Sequence, residues 1–94
     1  MRILSLPLLE DFKQHHADVR GQLDAWRYEV ERETWQTSQD IKQRFKSADF
    51  LADNRVIFNI KGNSYRLVVQ VRYWGGIVVI EWIGTHAEYN KKKF

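Results

Sequence analysis

The 94-residue chain has no cysteine, one proline and no long apolar run. Without cysteine there is no disulfide framework, no thiolate nucleophile and no thiolate zinc site. Apolar runs such as Val68–Val69 and Ile77–Ile80 fall far short of a membrane span. Met1–Pro7 offers too short an apolar stretch for a signal peptide, and Glu10 and Asp11 follow it, so a reducing cytoplasm is the expected location. Several catalytic patterns are also missing. No pair of acids is spaced as a carboxylate dyad, and no serine sits in a nucleophile elbow. Lys61-Gly62-Asn63 lacks the length and the following helix of a phosphate-binding glycine loop. His15 and His16 are adjacent, point to different sides of a helix and make a poor metal pair, so packing or a surface role is expected. No metal and no cofactor are therefore expected. With 44% hydrophobic and 29% charged residues, the composition is that of a globular protein. Residues 1–94 read as one domain, too small to enclose a second site, so any active site is an open cleft lined by surface side chains.

Acids are scarce in the second half. Residues 1–53 hold eight Lys/Arg and ten Asp/Glu, whereas residues 54–94 hold seven Lys/Arg and only Glu81 and Glu88. The net charge of +3 therefore divides into −2 and +5. The second half suits a polyanion, although uneven surface charge alone is an equally good account.

The first half has helical periodicity. Met1–Leu4 is a candidate edge strand, with Ser5 as a helix cap and Pro7 in the first turn. Leu8, Leu9, Phe12 and His16 recur at helical spacing, as do Val19, Leu23, Trp26 and Val30 after a second capping candidate, Asp18. Two antiparallel helices turning near Ala17 are predicted, with Trp26 and Trp35 packed inside. Thr37 to Asp40 is a capping box opening a shorter helix with Ile41 and Phe45, and Ala48–Asn54 is a loop. The second half switches to a period of two. Arg55–Ile60, Ser64–Tyr73 and Ile77–Ile83 are predicted antiparallel strands, joined at Lys61-Gly62-Asn63 and at a two-residue Gly75-Gly76 turn. Pairing Ile60 with Tyr65, Phe58 with Leu67 and Val56 with Val69 makes one face wholly apolar. Val71, Tyr73, Val78, Ile80 and Trp82 continue it. In the second hairpin the expected pairs are Arg72 with Val79 and Gln70 with Glu81, with Arg66 near Thr85. The fold expected is α+β, with N-terminal helices on one face of a small antiparallel sheet and a short C-terminal helix.

The opposite sheet face gathers Arg55, Asn59, Arg66, Gln70, Arg72 and the single acid Glu81. A solvated sheet face explains this pattern, and so does an anion site, because arginine offers a planar fork to phosphate oxygens and stays charged. Thr85 and Glu88 have capping-box spacing, so the last helix starts at the end of the sheet. That places His86 beside Arg66 and Tyr89 on the same helical face as His86. A histidine in that position can move protons at neutral pH, or simply occupy a helix cap. Trp74, at a hairpin tip, can stack on a base or on a partner protein. Lys91-Lys92-Lys93 can contact phosphate or form a solvated end.

The stretch Asn54–Val68, with Asn59-Ile60-Lys61-Gly62-Asn63 and Tyr65-Arg66-Leu67, joined to Gly84-Thr85-His86-Ala87-Glu88-Tyr89, resembles the HigB family of bacterial toxins within the RelE/ParE superfamily. Trp35, Asp40-Ile41-Lys42 and Ser47-Ala48-Asp49-Phe50 extend the likeness over nearly the whole chain. The resemblance implies a RelE-like fold and the toxin of a type II toxin–antitoxin pair, neutralised by a helix-turn-helix, HigA-like antitoxin. It also implies a metal-independent endoribonuclease that cuts messenger RNA on the ribosome and inhibits translation, using the RNA 2′-hydroxyl as nucleophile. In that reading Arg66 stabilises the pentacoordinate phosphate, His86 is general acid or base, and Tyr89 orients the base or assists proton transfer. Arg55, Asn59, Lys61, Asn63, Arg72, Lys91, Lys92 and Lys93 hold RNA. Two other classes use the same fold: a ParE-like inhibitor of a DNA topoisomerase, which needs neither acid nor base, and a non-catalytic RNA-binding module.

Overall fold

The computed structural model describes residues 1–92. Its elements are β1 (Arg2–Leu4), α1 (Leu6–His15), α2 (Arg20–Arg32), α3 (Ser38–Arg44), β2 (Asp49–Phe50), β3 (Arg55–Ile60), β4 (Tyr65–Arg72), β5 (Ile77–Thr85) and α4 (His86–Asn90). The strands form one sheet in the order β1-β5-β4-β3-β2. The expected antiparallel meander is its centre, but the sheet is mixed, because β1 runs parallel to β5. The two helices that follow β1 carry the chain across the sheet, a crossover that parallel pairing requires.

Apolar patterning fixes which face is covered. Val56, Phe58 and Ile60 of β3, Leu67, Val69 and Val71 of β4, and Val78 and Ile80 of β5 are buried in one cluster with Leu9, Val19, Leu23, Trp26, Val30, Trp35 and Ile41 from the helical half. Among the described residues no charged or polar residue is buried, so every ionic group stays at the surface. The α2 stripe Leu23, Trp26 and Val30 is at most 3% exposed, and each such side chain contributes roughly 1.5–3 kcal/mol by leaving water.

Helix termini follow the sequence in part. Asp40 accepts from the Gln36 and Thr37 amides at 2.9 and 3.2 Å, the predicted box. Ser5 does not cap α1 with its side chain; it is in the left-handed region at φ 67°. Asp18 does not cap α2 either. A 3-10 turn, Ala17–Val19, precedes that helix, and the Asp18 carboxylate instead accepts from the Tyr65 hydroxyl at 2.8 Å and pairs with Lys61 at 3.0 Å.

The β3–β4 register is the predicted one, residue for residue. The segment 48–54, predicted to be a loop, contains β2, which pairs Asp49 with Ile57 and Phe50 with Val56. Asp53 and Asn54, both left-handed, reverse the chain into β3, and after glycine the short polar side chains of Asp and Asn tolerate that conformation best.

The β4–β5 hairpin departs from expectation at both ends. Its turn is not Gly75-Gly76 alone: Tyr73–Gly75 form a 3-10 turn closed by Gly76 at φ 67°, and Arg72 pairs with Ile77 instead of Val79. Further on, Val69 pairs with Ile80 but Val68 pairs with Trp82, which leaves Glu81 as an extra residue. This β-bulge inverts the alternation beyond it. Trp82 therefore lies on the outer face with Val68, and Ile83 returns to the core side.

Gly84 makes the bulge habitable. A Cβ there would lie 2.6 Å from the Trp82 ring and 3.0 Å from a Glu88 carboxylate oxygen. Gly84→Ala is expected to cost about 1–3 kcal/mol in chemical denaturation, because the ring must move. Gly21→Ala, in α2 with nothing within 4 Å of the new methyl, is expected to gain roughly 0.5–1 kcal/mol. Equal effects at the two positions would contradict the close approach at Gly84.

Candidate active site

The outer face of the sheet is read row by row from the register. Asn59, Arg66 and Gly84 share one row, Ile57, Val68 and Trp82 the next, and Arg55, Gln70 and Val79 another. Ile57 and Val68 are at most 3% exposed yet stand apart from the main core, so this face has an apolar floor of its own. Over one end of it lies α4. Thr85 Oγ1 accepts from the Glu88 amide at 3.1 Å, and the Glu88 carboxylate accepts from the Thr85 amide at 2.8 Å. These bonds start the helix at the residue where the strand stops. The His86 amide also donates to Ser64 O at 3.1 Å, tying α4 to the β3–β4 turn.

This arrangement brings Tyr89 back over the sheet. Its ring lies 4.6 Å from the Arg66 guanidinium carbon and 6.0 Å from the Trp82 ring. A guanidinium over an aromatic face is attracted to the ring quadrupole. Arg66 is partly buried, makes no ion pair among the described residues, and has a buried Nε without a hydrogen-bond partner. It is thus a cation held against an aromatic ring without an ion-pair partner among the described residues. His86, the first residue of α4, is partly exposed and is placed by its backbone beside the same strand end. Glu88, its neighbour along the helix, is committed to the cap.

The other predicted RNA contacts separate into two groups. Arg55 donates to Glu81 at 2.7 Å, Lys61 pairs with Asp18 at 3.0 Å, and the Asn59 amide donates to Ser47 O at 2.7 Å. These three side chains hold the fold together, and the charge of each cation is matched. Arg72, Asn63, Lys91 and Lys92 are exposed, and Lys92 Nζ lies 6.0 Å from the Trp82 ring. Lys93 lies outside the described residues. Trp82 is the site residue that periodicity misplaced; the only local signal was the glycine two residues later, which leaves room for its ring.

A second cluster supports the turn below α4. His16 stacks on Phe12 at 4.0 Å and meets the Tyr65 ring edge-on at 5.6 Å, a packing role as expected. Lys61 and the Tyr65 hydroxyl hold the Asp18 carboxyl below the usual range, and Asp18 raises the Tyr65 hydroxyl in return. Among the described residues, no group of three or more His, Cys, Asp or Glu is arranged to hold a metal ion. None of the described helices is long and apolar enough to cross a membrane.

A family model described as HigB_toxin, RelE-like toxic component of a toxin–antitoxin system, matches residues 19–92. No curated protein matches the chain. The matched span holds Arg66, Trp82, His86 and Tyr89 and omits β1 and α1.

The cap gives α4 a pH dependence of definite sign. The Thr85 amide and hydroxyl hold the Glu88 carboxyl below its ordinary value. Its stabilising contribution is therefore complete above the unfolded value of ~4.3 and is lost as pH falls through the lower folded one. Amide hydrogen exchange at Glu88 is expected to lose protection over that acid range while β4 amides keep theirs. Glu88→Gln, which retains an acceptor for the cap, should flatten the response. Thr85→Ala should weaken the helix start by about 1 kcal/mol. Protection at Glu88 that persists unchanged into strong acid would contradict the assignment.

Proposed function

Because the chain belongs to the HigB family, the RelE-like toxic components of toxin–antitoxin systems, we propose that it is a metal-independent endoribonuclease that cuts messenger RNA on the ribosome. Its toxin identity and its need for an antitoxin follow from the family. The helix-turn-helix, HigA-like character of that antitoxin and the cytoplasmic setting belong to the proposal. The observation that carries the reading is Arg66, a partly buried guanidinium over the Tyr89 ring at 4.6 Å, without an ion-pair partner among the described residues, on the strand beside whose end His86 starts the last helix.

In the proposed reaction the RNA 2′-oxygen attacks the adjacent phosphorus while a base takes its proton, and the bond to the 5′-oxygen breaks as an acid protonates that leaving group. The products are a 2′,3′-cyclic phosphate and a 5′-hydroxyl. Charge accumulates on the non-bridging phosphate oxygens, where the planar Arg66 fork is suited to stabilise it. His86 serves one of the two proton transfers. Tyr89 holds Arg66 in place through its ring and orients the reacting groups. Lys91 and Lys92, with Arg72 and Asn63, meet the RNA backbone from exposed positions.

An open face supplies electrostatic attraction but little positioning of a flexible strand. The ribosome supplies that positioning in this reading.

Arg66→Ala is expected to lower cleavage about 10²–10³-fold, and His86→Ala about 10²–10⁴-fold. Cleavage is read by mapping RNA ends on programmed ribosomes and in growing cells, with circular dichroism checking the fold. Codon-phased ends lost in both variants support the proposal. Uncut transcripts accompanied by a supercoiling defect would replace it with topoisomerase inhibition, and intact transcripts alone with passive RNA binding.

A further inference from the structure

We propose that Arg2, Arg72 and Trp74 form a second RNA contact that takes the same single strand at the opposite end of the outer face. The inference rests on the RNA-cleaving reading above and extends it. Arg72 lies six residues along β4 from Arg66, which at strand rise is about 20 Å. Both side chains fall on the outer face by alternation. Arg72 and Arg2 are each paired with Ile77, one on either side, so the two arginines stand in one row on one face, about 10 Å apart across two strand spacings. The Arg2 amide donates to Gly76 O at 2.7 Å, which fixes Arg2 beside the hairpin turn. Arg2 also lies outside the segment 19–92 matched by the family model.

The arginines at this end are not held in ion pairs. Arg2 and Arg72 are exposed and make no ion pair among the described residues. Asp40, the acid nearest Tyr73 by its effect on that hydroxyl, is held by the Gln36 and Thr37 amides, which fix its position and leave its charge in place. Between the two ends of the face, Glu81 is neutralised by Arg55; Asp49, paired with Ile57, and Asp53, whose carbonyl meets Gln70, are the acids nearest that path.

Trp74 adds the second element. It is fully exposed, an uncommon state for a tryptophan, and it is held in a short turn closed by Gly76 N–H to Tyr73 O at 3.3 Å. An aromatic ring beside two unmatched arginines offers a stacking surface for a base and forks for flanking phosphates, the combination by which proteins bind single strands without reading sequence. A protein partner would find half-buried Leu4, Ile77 and Val79 here, but the unmatched positive charge favours a polyanion.

The test uses the full chain and RNA oligonucleotides of about 4 and about 16 nucleotides, the range of site sizes of small single-strand-binding folds. Every residue carries a 2′-O-methyl group, so none can be cut. The wild type is expected to prefer the long strand. Trp74→Ala should remove about fivefold to about a hundredfold of affinity from the long strand and much less from the short one. Each of Arg2→Gln and Arg72→Gln should lower the salt slope for the long strand by about 0.7. All three positions are exposed, so thermal unfolding should stay within a few degrees of wild type.

A length preference that survives the substitutions overturns the second contact, as does an equal loss for both lengths or no RNA binding by the wild type. Unchanged RNA binding together with lost neutralisation by the co-expressed antitoxin overturns it in favour of a protein surface. Because the probes cannot be cut, a wild type that never cleaves messenger RNA fails the earlier reading while leaving this measurement intact.

Discussion

The extra residue in β5 opposite Val68 and Val69 is the constraint on which the outer face depends. Without it, strict alternation would send Trp82 into the core side with Val78 and Ile80. The bulge turns Trp82 outward, where its ring occupies space left by Gly84 and meets Tyr89 at 6.0 Å. Glu81, the extra residue, pairs with Arg55 at 2.7 Å. One irregularity therefore decides which aromatic residue supports α4. Bulges are placed where a strand must re-aim side chains, and here the re-aimed group is the one beside Arg66.

Several of the surface ionic groups answer one another. Arg44 pairs with Glu29, Arg27 with Glu31, Lys13 with Asp24, and Lys61 with Asp18. Exposed pairs of this kind contribute little stability, ~0–1 kcal/mol each, but they cancel the field of the helical half locally. Arg66 and Arg72 on β4 and Arg2 on β1 have no such partner among the described residues, which leaves three unpaired arginines on the outer face. Smallness and function agree on this point. A chain that buries no charged residue among those described has to keep its ionic chemistry at the surface.

How much of this was legible depended on how local the cause was. The β3–β4 register was readable because its turn is short and both strands alternate without interruption. The capping boxes at Thr37–Asp40 and Thr85–Glu88 were readable because each is closed within four residues. Asp18 misled as a cap because its partners, Lys61 and Tyr65, lie more than forty residues away in the chain. The 3-10 turn at Tyr73–Gly75 and the bulge displaced the second register, and no alternation pattern distinguishes a bulged strand from a regular one of the same composition.

The sequence by itself determined the α+β class, the apolar face that carries the helices, the concentration of arginine on the opposite face and the start of the last helix. These follow from side-chain periodicity and from hydrogen bonds made within a turn. Only the tertiary structure decided which cations are neutralised, that Tyr89 stacks on Arg66, that Trp82 faces outward and that Arg2 stands in line with Arg72 on a strand parallel to β5. Each of these joins segments distant in the chain, and their mutual placement is fixed by register and packing across the sheet.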